Sequence, residues 1–242
     1  MKNKKNPSTD NKKDNTLIQS FKRIPINLME RSIRKDPKNI QNIKNISEDV
    51  YIYLIQKQPE IIKYIENPTE KMKLYAVHSD PKIIRYIEDP TENICIEAVR
   101  NNPLVIQYIM SPTFKTCAEA LCQTPYTLKY IKNQTRQMCI FAVREDPSYI
   151  KYVHNQTEEI CMLAVKNDPC TIKYIKNPTI KVCLTAVREK GDVIKYIENP
   201  SDEIWAEALM SNFDLINSAN INKDAIIEIL LRKLRKFENK DI

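Results

Sequence analysis

With 242 residues, a single glycine and 29% charged side chains, this chain excludes most glycine-dependent chemistry before any motif is sought. The phosphate-cradling loop, the dinucleotide-binding turn and the strained nucleophile elbow each need several closely spaced glycines, and Gly191 stands alone. The net charge of +7 sits at the ends: residues 1–24 hold 7 basic and 2 acidic side chains, residues 223–242 hold 6 and 4, and residues 25–222 hold 25 of each.

No apolar run approaches the ~18 residues that a membrane-spanning helix needs, and the opening stretch MKNKKNPSTDNKKDNT lacks the apolar core of a secretion signal. A cytoplasmic protein without membrane contact is the expectation. Seven cysteines are an odd number for a disulfide framework and read as reduced thiols.

In chain order, residues 1–24 are polar, lysine-rich and aperiodic, which predicts a disordered basic tail. From Pro25 to Asn222 the chain repeats every 22 residues without insertion or deletion. Clear copies start at Ser47, Thr69, Thr91, Thr113, Thr135, Thr157 and Thr179, and degenerate copies at Pro25 and Ser201 bring the total to nine.

The copy TEEICMLAVKNDPCTIKYIKNP, residues 157–178, shows the logic. Thr157 is a good N-cap, and Glu158 and Glu159 complement the positive end of a helix dipole. Ile160, Cys161, Ala164 and Val165 fall on one face of the first helix. Asp168-Pro169 then starts a second helix, because proline at the first helical position gives up only an N–H that had no partner. Ile172 and Ile175 line that helix, and Asn177-Pro178 ends it. With one glycine in the chain, almost no turn is expected to rely on the flexibility that glycine supplies at positive φ.

Helices this short do not stand alone, so each repeat must bury its stripe against the next. The predicted fold is all-α: an α-solenoid of about nine 22-residue helix-turn-helix repeats over residues 25–222, then a capping helix and basic tail over 223–242. In KDAIIEILLRKLRK, Ile226, Ile227, Leu230 and Leu234 would form the covering face, with Trp205 in the cysteine slot of the last repeat completing the cap.

Cys95, Cys117, Cys139, Cys161 and Cys183 recur at the fifth position of the repeat. Packed helices lie ~8–10 Å apart, too far for thiolates to share a zinc ion at ~2.3 Å or for a disulfide, which needs Cα atoms within ~7 Å. They read as small buried hydrophobes; Cys122 and Cys170 lie off the stripe. The two histidines, His78 and His154, occupy different positions of different repeats and suggest no nucleophile–base pair. The carboxylates read as helix-start residues. No catalytic residue, metal or cofactor is expected.

Two basic ladders remain. One runs Lys63-Tyr64, Arg85-Tyr86, Gln107-Tyr108, Lys129-Tyr130, Lys151-Tyr152, Lys173-Tyr174 and Lys195-Tyr196; the other is Arg100, Arg144, Lys166 and Arg188 at the tenth position. Residues 113–200 hold 13 basic against 9 acidic side chains. The candidate binding surface is therefore Lys129, Tyr130, Arg144, Lys151, Tyr152, Lys166, Lys173, Tyr174, Arg188, Lys195 and Tyr196. Cations interleaved with aromatics hold phosphates and stack bases in nucleic-acid binders. Against that, the array as a whole carries no basic excess, and tyrosines packed between repeats beside solubilising lysines would give the same pattern.

The segments IC-x-x-AV-[KR] and IKYI-x-NP resemble a family of short two-helix repeats of giant viruses and large phages, over residues 25–222. At the level of architecture the chain also looks like a compact relative of the HEAT and armadillo solenoids, with a unit about half as long. It departs from the short-repeat family at the start of helix two, where most such units have glycine and this chain has proline, except at Gly191. The resemblance implies an α-solenoid and a viral setting in which the partner is a host or virion protein.

The resulting expectation is a monomeric, non-catalytic protein–protein interaction scaffold that offers an extended surface to a protein or peptide. At roughly 10 Å per repeat the array would span about 90 Å of arc. The alternative is a nucleic-acid-binding α-solenoid that uses the Lys-Tyr ladder and the basic termini.

Overall fold

The computed structural model describes residues 25–217 and 223–238. The tail expected at 1–24 lies outside the described residues, as do 218–222 and 239–242 and the side chain of Leu234. Among the described residues every element is helical. In the compact unit ending at Ile109, α1 (Ile26–Lys35), α2 (Glu48–Lys57), α3 (Glu70–Ser79) and α4 (Glu92–Asn101) alternate with 3-10 helices η1 (Pro37–Asn42), η2 (Pro59–Tyr64), η3 (Pro81–Tyr86) and η4 (Pro103–Tyr108). The second compact unit starts at Met110. It contains α5 (Phe114–Gln123), η5 (Pro125–Tyr130), α6 (Arg136–Glu145), η6 (Pro147–Tyr152), α7 (Glu158–Asn167), η7 (Pro169–Tyr174), α8 (Ile180–Glu189), η8 (Gly191–Tyr196), α9 (Asp202–Ser211), η9 (Phe213–Asn217) and α10 (Lys223–Glu238).

Each repeat is thus an α-helix followed by a 3-10 helix, packed on its sequence neighbours within each compact unit as a solenoid. The α-helices meet at their alanines. Ala76 and Ala98 in the first unit, and Ala120, Ala142, Ala164, Ala186 and Ala208 in the second, are 0% exposed. The valine beside alanine is equally covered at Val77, Val99, Val143, Val165 and Val187. The second helix tightens to three residues per turn, which superposes side chains three apart. Ile172 and Ile175, or Ile84 and Ile87, therefore enter the core together. Full burial of an isoleucine contributes ~1.5–3 kcal/mol, so the stripe holds elements too short to persist alone.

The caps go further than dipole complementation. Thr69, Thr91 and Thr179 accept the N–H of the third helical residue, at Met72, Ile94 and Val182. Each threonine hydroxyl also donates to a glutamate 21 residues earlier: Thr69 to Glu48 (2.7 Å), Thr91 to Glu70 (2.6 Å) and Thr179 to Glu158 (2.9 Å). The glutamate at a helix start therefore ties its repeat to the next one. The bond from Thr179, followed by Lys181, holds the Glu158 carboxyl below its ordinary value. Thr157 makes neither kind of bond: Arg136 stands where the glutamate would be, and the Thr157 hydroxyl is buried without a partner. Its expected role as N-cap is thus not played by its side chain. Asp80, Asn102, Asp146 and Asp168 cap the 3-10 helices by accepting the N–H two residues on.

Positive φ is carried by Asn and Asp and not by glycine, at Asn45 (58°), Asn67 (52°), Asp89 (44°) and Asn199 (48°). Asn and Asp tolerate the left-handed region because their short polar side chains bond locally. Gly191 has no positive φ. It serves close approach instead, since a Cβ there would lie 2.6 Å from the Ala208 carbonyl oxygen.

The C-terminal cap forms, with a different face. Ile226 is buried with Ala206 and Leu209, and Trp205, Leu215, Ile216, Ile229 and Leu230 pack around them. Ile227, expected on that face, is 46% exposed, because the helix turns ~100° per residue and Ile226 takes the central position. The cap is pinned by Glu207, which accepts from Arg188 Nε at 2.7 Å and also from Lys233 of α10. Burial would push the Glu207 carboxyl up, but the hydrogen bonds from Arg188 and Lys233 outweigh it and hold the carboxyl below its ordinary value.

A carboxylate lowered on folding stabilises above its unfolded pKa of ~4.3, and that contribution is lost as pH falls through the lower folded value. Trp205, the one tryptophan of the chain, reports on this joint. Its emission should shift to the red on acidification below about pH 4, and Glu207→Gln should produce the shifted emission near neutrality and remove most of the pH dependence.

Candidate binding surface

The Lys-Tyr ladder is carried by the last two residues of η2 to η8, with Arg85 and Gln107 in the lysine position of η3 and η4, which fixes its pitch at one pair per repeat. Lysines and tyrosines interleave. Lys151 lies 5.0 Å from the centre of the Tyr152 ring and 5.5 Å from that of Tyr174; Lys173 lies 4.9 Å from Tyr174 and 5.9 Å from Tyr196. Lys195 sits 5.1 Å from Tyr196, and Lys129 lies 5.5 Å from Tyr130 and 5.8 Å from Tyr152. All fall within the ~6 Å at which a ring face attracts a cation. In the first compact unit, Lys63 bridges Tyr64 and Tyr86 and Arg85 bridges Tyr86 and Tyr108 in the same way.

Two further tyrosines join the ladder that sequence reading missed. Tyr126 lies 6.0 Å from Tyr130, 5.5 Å from Tyr152 and 6.2 Å from Tyr149, and Lys129 also covers the Tyr126 ring at 5.7 Å. A hydrogen bond with Tyr130, then one from Lys129, holds the Tyr126 phenol below its ordinary value. Tyr126 and Tyr149 occupy neighbouring but different positions of the repeat, so a column-by-column reading does not align them; stacking the repeats does.

Glutamines brace this surface. Where other repeats end in proline, Gln134 donates to the carbonyls of Leu128 (3.0 Å) and Tyr152 (2.8 Å) and accepts from His154 N–H (2.9 Å). Gln156 repeats the pattern with Ile150, Tyr174 and Lys176. The backbone beneath two ladder tyrosines is therefore fixed to the preceding repeat.

The tenth-position cations lie elsewhere. Arg144 and Lys166 flank an open groove of about 510 Å³ with Ile140, Met162 and Leu163, completed by Glu158, Glu159 and Lys181. No Lys-Tyr pair lines it. Arg188 is committed to Glu207. The proposed surface thus separates into the ladder, the groove and one structural ion pair.

The stripe cysteines are buried and free. Burial, and then the neighbouring Glu92 or Glu158, pushes Cys95 and Cys161 up to about 11, where almost no reactive thiolate exists near neutral pH. Cys122 is exposed and Cys170 half-buried, with Lys190 Nζ 3.7 Å from the Cys170 sulfur. His78 bonds Glu97 at 2.9 Å, and His154 lines a smaller cavity with Lys132 and Arg136. Among the described residues no three His, Cys, Asp or Glu side chains gather as a metal-binding group, and no helix is long and apolar enough to cross a membrane.

Neither the curated proteins nor the solved structures contain a match to this chain. The family model described as a domain of unknown function (DUF4116) matches residues 135–181, the two glutamine-braced repeats and the start of the next, to which this part of the chain is similar.

Proposed function

We propose that the protein is a non-catalytic interaction scaffold whose repeats present side-chain ladders to a protein or peptide partner. One observation carries this reading: Tyr152, Tyr174 and Tyr196 each hold two lysine ammonium groups against the ring. The faces on which bases would stack are already engaged by cations, whereas ring edges and charges suit a protein surface. Zero net charge over residues 25–222 points the same way. The scaffold works as a monomer in the cytoplasm, and the resemblance to viral repeats makes a host or virion protein the natural partner.

The second reading, nucleic-acid binding through the same ladder, draws on the basic excess of residues 113–200. Electrophoretic shift with mixed DNA and RNA distinguishes the two. No shift is expected at about 50 mM salt, where phosphate contacts are strong. A shift that survives removal of residues 1–24 and disappears in the triple variant Lys129→Ala, Lys151→Ala, Lys173→Ala would overturn the scaffold reading.

A further inference from the structure

On the α-helical face, tenth-position cations find carboxylates in some repeats and not in others; in the second compact unit two consecutive repeats lack them. A cation at the tenth position of a repeat meets the seventh position of the next, 19 residues on: His78 bonds Glu97 at 2.9 Å and Arg188 bonds Glu207 at 2.7 Å. At the same register the residue 19 on from Arg144 is Leu163 and the residue 19 on from Lys166 is Thr185. Neither offers a carboxylate; the Thr185 hydroxyl donates to the Lys181 carbonyl of its own helix at 2.8 Å. Both cations are exposed, and no ion pair holds either among the described residues.

These two cations border the groove floored by Ile140, Met162 and Leu163. Its acidic residues are already engaged, Glu159 by Nε and Nη2 of Arg136 at 2.8 and 2.5 Å and Glu158 by Thr179 and Lys181. What remains is an apolar floor with two uncommitted positive charges, in a volume within the ~300–1,000 Å³ range of ligand-binding clefts. We infer that this groove docks a short amphipathic helix of a partner protein, with two carboxylates supplying the negative charges that Leu163 and Thr185 do not. The inference rests on the scaffold reading and names its partner's chemistry.

Spacing defines the motif. Arg144 and Lys166 belong to neighbouring helices, whose axes lie ~8–10 Å apart. Glutamates at i and i+7 of one helix are ~10.5 Å apart on one face, with i+3 and i+4 between them for apolar side chains. Helix-in-groove recognition uses these anchor positions.

The probe is a fluorescein-labelled peptide with Glu-Ala-Ala-Leu-Leu-Ala-Ala-Glu at its centre, titrated with the full chain and followed by anisotropy. Gln-for-Glu and Lys-for-Glu peptides and mixed-sequence single-stranded DNA are run beside it. The Glu peptide should bind more tightly than both substitutes. Arg144→Ala and Lys166→Ala should each weaken it about three- to fivefold and together about tenfold or more, with unchanged circular dichroism. Leu163→Glu, which supplies the missing carboxylate in cis, should abolish binding. A Glu peptide that does not bind, binds no better than the Lys peptide, or is indifferent to these three substitutions overturns the inference while leaving the scaffold reading intact. If no peptide of any charge binds and the DNA does, in a manner lost in Lys129→Ala, the scaffold reading fails as well.

Discussion

Gly191→Pro is expected to destabilise the protein, although seven other repeats carry proline at that position, from Pro37 to Pro169. Proline lowers the entropy of the unfolded chain and stabilises by ~0.4–1 kcal/mol where the native backbone accepts it. Here it does not. A Cβ on residue 191 would lie 2.6 Å from the Ala208 carbonyl oxygen and 3.1 Å from the Asn212 Cβ. The first is backbone already accepting from Asn212 N–H at 2.8 Å, so it yields only if α9 moves. Proline also removes the N–H that donates to Ser211 Oγ at 3.0 Å. Overpacking costs ~1–3 kcal/mol and the lost bond ~0.5–1.5 kcal/mol. Urea denaturation should give a lower midpoint for Gly191→Pro and, by the overpacking share alone, for Gly191→Ala. A midpoint raised by proline would show that the close approach of η8 to α9 is relieved at little cost.

Ala164→Leu should be nearly as damaging. Ala164 is 0% exposed in the seam between packed α-helices, and its neighbours Cys161 and Val165 are equally enclosed. Three added carbons have no space to enter, so the helices must separate or the leucine must leave its rotamer, at ~1–3 kcal/mol. Lys166→Leu provides the comparison: it adds the same side chain on the exposed side of the same helix and should shift stability by no more than about 0.5 kcal/mol. Equal losses in the two variants, measured by urea midpoint, would mean that the alanine column is not the seam.

Much of this was legible because repetition amplifies weak signals. A single Thr or Asp-Pro is a poor boundary marker, but the same residues at a fixed spacing place α7 at Glu158–Asn167 and η7 at Pro169–Tyr174 with little latitude. The cysteine column was equally readable, since its period separates the sulfurs whatever the details of packing. The tightening of the second helix to 3-10 was not readable, because the i, i+3 pair Ile172 and Ile175 fits either helix. Column reading also passed over Tyr126, Tyr149, Gln134 and Gln156, which act across repeats from positions that do not repeat.

The candidate surface shows the same division. Which residues are basic or aromatic, and how often, was determined by the sequence alone, as were the all-helical class and the repeat boundaries, because short-range propensity and periodicity control them. Which cations are spent was decided only by tertiary structure. Arg188 and Arg144 are indistinguishable in their own repeats; Arg188 is held by Glu207, 19 residues on, while Arg144 borders the groove with Leu163, a pairing that exists only because successive helices pack side by side.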